Sequence, residues 1–186
     1  LAEYEKDKEK RFKNGELFSL DSLNLPDSLR YFTNLKKRTV YGGGGILPDI
    51  FVPLDTSENS NYFSEMLRTG VNNDWVMEYT NVSRATLLKK YPTIKDFTSS
   101  YELPETAMSE MIARLNDKKV AFNKAEFETS EHAIKIRTKA LIARNLYDGE
   151  AFYVFINELN PALKKAVQVL QDGSFEKMKL AYSDFK

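Results

Sequence analysis

From residue 56 onward, apolar residues recur at helical spacing. Phe63, Met66 and Leu67 follow Ser60, a residue suited to cap a helix start, and Gly70 suits its end. Trp75, Tyr79 and Val82 are spaced to share one face, and Leu87, Leu88 and Tyr91 form a stripe closed by Pro92. Met108, Met111, Ile112 and Leu115 fit i, i+3, i+4, i+7 after Pro104. Ile134, Leu141, Ile142 and Leu146 mark a longer helix, and Phe152, Phe155, Ile156 and Leu159 another. Asn160 followed by Pro161 reads as a cap and a first helical residue, opening Leu163, Ala166, Val167 and Leu170. Successive amphipathic helices with short connections predict a helical bundle over residues 56–186.

Residues 1–55 are patterned differently. They hold five of the eight glycines (15, 42, 43, 44 and 45) and three of the six prolines (26, 48 and 53). AEYEKDKEKRFKNG predicts a charged helix stopping at Gly15, with Tyr4, Lys8 and Phe12 at four-residue steps on one narrow face. A loop carrying Asp21, Asn24, Pro26 and Asp27 follows. Residues 29–33 and 39–41 read as short strands around a turn at 34–37, and residues 49–52 as a third extended piece ended by Pro53. The predicted fold class is α+β, mainly α, with two domains, 1–55 and 56–186.

Composition narrows the function. Lys+Arg 27 balances Asp+Glu 27, with nine of each sign in residues 1–55, so neither part has the basic excess of a nucleic-acid binder. The absence of Cys excludes disulfides, thiolate zinc sites and a cysteine nucleophile. A single His excludes a multi-histidine metal centre. The 42% hydrophobic content suffices for a core, and no stretch approaches the ~18 apolar residues of a membrane span. Leu1 runs straight into charged residues with no signal-peptide pattern, and the start reads as the edge of a processed or truncated piece.

Local motifs yield no catalytic, cofactor-binding or metal-ligating residue. A P-loop needs Lys and a hydroxyl after its glycines, whereas Gly45 is followed by Ile46, Leu47 and Pro48. The third glycine of a dinucleotide fingerprint falls on Leu47 or Pro48. The reading preferred for the four glycines is a tight backbone crossing where side chains would clash. Glu128-Thr129-Ser130-Glu131-His132 has Glu where HxxEH needs His, so His132 reads as a solvated or capping residue. Glu126 and Glu128 read as solvated rather than paired for acid–base work. No Ser sits in GxSxG. An independent hydrolase acting through Ser64 or His132 is a minor expectation.

One stretch is more specific. Tyr31-Phe32-Thr33, then Arg38-Thr39-Val40-Tyr41, residues 42–45 and Gly45-Ile46-Leu47-Pro48-Asp49-Ile50-Phe51-Val52 resemble a motif near the end of the catalytic domain of carboxy-terminal processing (tail-specific) serine proteases. The family pattern has Gly before the Arg, where this chain has Lys37, and the longer glycine run is similar to Bacteroidetes-type members. Ile142-Ala143-Arg144-Asn145-Leu146 and Asn160-Pro161 also look like those members' C-terminal extension.

The resemblance implies that residues 1–55 are the end of a protease catalytic domain and 56–186 a helical extension. It implies a parent endopeptidase in which Lys activates Ser to attack a peptide carbonyl at protein C-termini or unfolded tails. The dyad and a peptide-binding PDZ domain are expected upstream. Neither Lys6, Lys8, Lys10 and Lys13 nor Ser19, Ser22 and Ser28 matches the dyad pattern, so this chain alone is expected to be inactive and to serve structure, docking or oligomerisation. Location in the periplasm or cell envelope also follows only from the resemblance. The rival expectation is a non-enzymatic helical protein-interaction module.

Overall fold

The structure, a computed structural model, describes residues 2–22, 27–34, 37–42 and 48–178. It is α+β and mainly α: nine α-helices and one short two-stranded sheet among the described residues. The chain divides into two compact units, Leu1–Asp55 and Thr56–Lys186.

The first unit opens with α1 (Ala2–Lys13). Gly15 leaves it at φ +79°, a left-handed conformation that costs an L side chain energy. β1 (Arg30–Phe32) pairs antiparallel with β2 (Thr39–Tyr41), with Tyr31 opposite Val40. Residues 49–52, expected as a third extended piece, join no ladder, and Asp49 and Ile50 form a bend. No residue of this unit whose exposure is described is buried.

The second unit carries the core. α2 (Asn61–Thr69) is capped by Ser60, whose Oγ accepts from the Phe63 amide at 3.1 Å. Gly70, at φ +73°, turns the chain directly into α3 (Val71–Lys90). α4 (Ile94–Ser100) starts with a capping box between Thr93 and Asp96. α5 (Thr106–Asp117), α6 (Lys124–Leu146), α7 (Gly149–Ile156), α8 (Pro161–Gln171) and α9 (Ser174–Met178) complete the unit. Asn123, Asp148 and Asn160 cap α6, α7 and α8 through their side-chain oxygens.

α6 is the central element. Ten of its residues are buried, among them Ile134, Leu141 and Ile142. Asn72 donates to Thr138 Oγ1 at 2.7 Å and Asn145 donates to Thr80 Oγ1 at 3.3 Å, so α3 and α6 run in the same direction. Ion pairs from Glu78 to Arg114 and from Asp74 to Lys118 show that α5 lies antiparallel to α3. At one end, Phe97 is fully buried among Tyr91, Tyr101, Tyr147 and Phe155, with ring centroids 4.1–5.9 Å away. Such stacked and edge-on pairs add to the burial of the rings themselves.

Two predicted faces are corrected: on α8 Leu163, Ala166, Val167 and Leu170 are exposed and Val169 is the buried residue, and the second lies on α3. Trp75 is buried and Tyr79 half-buried, but Val82 is 89% exposed. The side-chain bonds from this face of α3 end where Tyr79 meets Tyr101, and Val82 lies beyond that cover. The buried stripe continues instead through Val76, Thr80 and Leu87. The predicted stripe of Phe152, Phe155, Ile156 and Leu159 also divides, because α7 ends at Ile156 and Leu159 lies in a separate 3-10 turn, Asn157–Leu159.

Candidate functional site

The most organised polar station of the helical unit gathers around His132. Its Nδ1 lies 2.9 and 3.1 Å from the two carboxylate oxygens of Glu58, and its Nε2 lies 3.2 Å from Glu158 Oε1. Glu58 precedes α2, His132 stands in the first half of α6, and Glu158 belongs to the 3-10 turn after α7. Carboxylates only accept hydrogen bonds, so both ring nitrogens donate when the imidazole is protonated. The Glu58 carboxylate, joined by Glu158 against a smaller opposing effect of burial, holds the His132 pKa above its ordinary 6.5. About half of the His132 side chain is exposed.

Next to this station Ser130 is fully buried. Its Oγ lies 2.6 Å from the Glu58 carbonyl oxygen and 2.8 Å from Ser60 Oγ, which also caps α2. Glu126 accepts from the Tyr62 amide at 2.6 Å and from Asn123 Nδ2 at 3.1 Å. These bonds fasten the start of α2 to the first turns of α6. They are structural contacts, since each hydroxyl and carboxylate is already engaged with the protein.

The other residues singled out from the sequence are dispersed. Glu128 pairs with Lys124 at 3.7 Å and Glu131 with Lys135 at 2.7 Å, so neither acid of that motif meets His132. Ser64 Oγ donates to the Ser60 carbonyl oxygen of its own helix at 3.0 Å, which leaves no base on it. No group of three or more His, Asp or Glu among the described residues is arranged to hold a metal ion. Sequence reading missed Glu58 and Glu158, because their link to His132 spans separations of 74 and 26 residues and leaves no local motif.

The first unit holds the glycine-rich element, of which residues 43–47 lie outside the described part. Its flanks are defined. Thr33 N donates to the Arg38 carbonyl oxygen at 2.9 Å, and Arg38 N donates to Thr33 Oγ1 at 2.9 Å. Lys37 sits at φ +49°, in the left-handed region. The Arg38 guanidinium pairs with the Asp49 carboxylate on the far side of the glycines. At Gly42 the backbone passes so near the Tyr31 ring that a Cβ would lie 2.9 Å from it.

Residues 62–148, just under half the chain, match the model of a family of unknown function (DUF8443). The matched stretch runs from the first turn of α2 to the cap of α7 and contains α3 to α6. No curated protein and no solved structure matches the chain.

Proposed function

We propose that the chain is the C-terminal part of a Ser/Lys-type endopeptidase of the tail-specific class, acting on protein C-termini or unfolded tails in the bacterial periplasm or envelope. Residues 1–55 supply the closing strands of the catalytic domain, and 56–186 form a helical structural or docking extension. The carrying observation is Lys37. It occupies a left-handed conformation at the position where the resembling family has glycine, the residue that adopts that conformation without strain. Two further features support the reading. The Arg38/Asp49 pair brackets the glycine run with the Arg and Asp of the family motif. The three-residue strands leave Tyr31, Phe32 and Val40 exposed at 55%, 58% and 39%, as expected of a hairpin that belongs to a larger sheet.

The rival reading, a non-enzymatic interaction module, is favoured by α8, whose Leu163, Val167 and Leu170 face outward at 39–63% exposure. The upstream reading frame discriminates the two. The peptidase reading expects a Gly-flanked Ser followed by a Gly-flanked Lys, and cleavage of an unfolded polypeptide by the parent protein that ends when that Ser is changed to Ala. A parent lacking both residues, or an isolated 186-residue chain that cleaves such a substrate, overturns it.

A further inference from the structure

Two grooves flank α3, and their charges are arranged differently. The groove beside α5, about 390 Å³, contains Arg114 and Lys118, each matched by an acid: Glu78 at 2.7 Å and Asp74 at 3.6 Å. The groove beside α6, about 290 Å³, contains Arg84 and Arg144, and no Asp or Glu lines it. Neither guanidinium makes an ion pair with a described residue. Arg84 donates through Nη2 to the Asn145 carbonyl oxygen at 2.8 Å, which leaves its other N–H groups available. The Arg144 guanidinium carbon lies 5.8 Å from the Phe152 ring centroid, and no described acceptor takes a hydrogen bond from it.

A third arginine stands near Arg144 on the same helix, outside the groove lining. Arg137 is two turns before Arg144 on α6, and its buried Nε has no acceptor among the described residues. Burial and the nearby charge of Arg144 both lower its pKa. Arg84 on α3 and Arg144 at the last turn of α6, both exposed, thus line a groove that holds no carboxylate.

We infer that the groove between α3 and α6 binds a small organic carboxylate carrying an apolar, amide-containing substituent, with the carboxylate held by Arg84 and Arg144. Planar guanidinium forks match carboxylate oxygens in paired hydrogen bonds. The side chains of Asn73 and Asn81 offer both donors and acceptors to an amide. Met77, 55% exposed above buried Val76 and Leu141, supplies apolar contact. The volume is just below the usual range of ligand pockets, which suits an acid of one residue's size. The inference does not rest on the peptidase reading, and its test measures binding alone.

The test is calorimetric titration of the 186-residue chain with N-acetylleucine, its uncharged amide and inorganic phosphate. Saturable binding of N-acetylleucine in the millimolar range is expected, with neither the amide nor phosphate matching it. Arg84→Gln and Arg144→Gln should each weaken it about tenfold, as loss of a charge-assisted pair does. Arg114→Gln, in the neighbouring groove, should leave it unchanged. Arg84→Lys keeps the charge without the fork and should also weaken it, which carries the test if Arg84→Gln misfolds by circular dichroism. Absence of saturable binding, equal binding of the amide, binding of phosphate alone, or retained affinity in Arg144→Gln overturns the inference.

Discussion

The chain's one His makes the Glu58, His132 and Glu158 station directly measurable. A proton–carbon NMR titration of the imidazole follows a single ring, and no assignment is needed. The midpoint should lie above 6.5, because the charged form donates to two carboxylates. Glu58→Gln should lower the midpoint more than Glu158→Gln, since Glu58 is the larger contributor. The linked stability has a fixed sign. A pKa raised by folding means the native state binds the proton more tightly than the unfolded chain. The stabilisation is therefore fully present below about pH 6.5 and fades as pH rises through the raised midpoint. Its size is small, because all three side chains are 41–53% exposed and exposed pairs contribute about 0–1 kcal/mol. Urea unfolding at pH 6 and pH 9 should show Glu58→Gln costing up to about 1 kcal/mol at the lower pH and nearly nothing at the higher. A midpoint at or below 6.5, or a Glu58→Gln penalty that grows with pH, refutes the reasoning.

Three further outcomes follow from the packing. Phe97→Ala removes a fully buried ring from contact with four aromatic neighbours; it should cost about 3–5 kcal/mol and lower the thermal midpoint of the helical unit by about 10–15 °C in calorimetry. Asn72→Asp places a carboxylate where the native side chain is 2% exposed and its Oδ1 has no donor among the described residues, so urea midpoints should fall at pH 7 and partly recover at pH 4, where the buried acid is protonated. Residues 56–186 expressed alone should unfold cooperatively with a midpoint within a few degrees of the full chain, because every buried residue described lies in that unit; a broad, non-cooperative melt would refute this.

Most helices of the second unit were legible because their caps and breakers are local. Ser60, Gly70, Pro92, Asn160 and Pro161 each stand within one or two residues of a helix end. Of the predicted stripe Met108, Met111, Ile112 and Leu115, Met111 and Leu115 are fully buried and the other two partly so. The joining of two stripes into the single helix α3 was not legible, because nothing local marks a continuous helix across residues 83–86. Val82 failed for a related reason. Periodicity fixes the direction in which a residue points, but the length of the covering element decides whether that direction is buried. Residues 49–52 join no ladder among the described residues, because strand propensity forms one only with a partner, and Asp49 is engaged by Arg38.

The polar features of the helical unit obey a different logic from its helices. Glu58 and His132, Tyr62 and Glu126, Asn72 and Thr138, and Thr80 and Asn145 are each separated by more than sixty residues. A motif search reads neighbours in sequence, and every neighbour of His132 it found acidic, Glu128 and Glu131, turned out to pair with a lysine on its own helix. Local acids are consumed by local lysines at i, i+4, the commonest way a helix neutralises its surface. What stays unmatched after that local cancellation is informative. His132 finds its carboxylates across elements, while Arg84 and Arg144 face a groove with no acid in it. Which charges find partners across elements becomes visible only once the helices are packed.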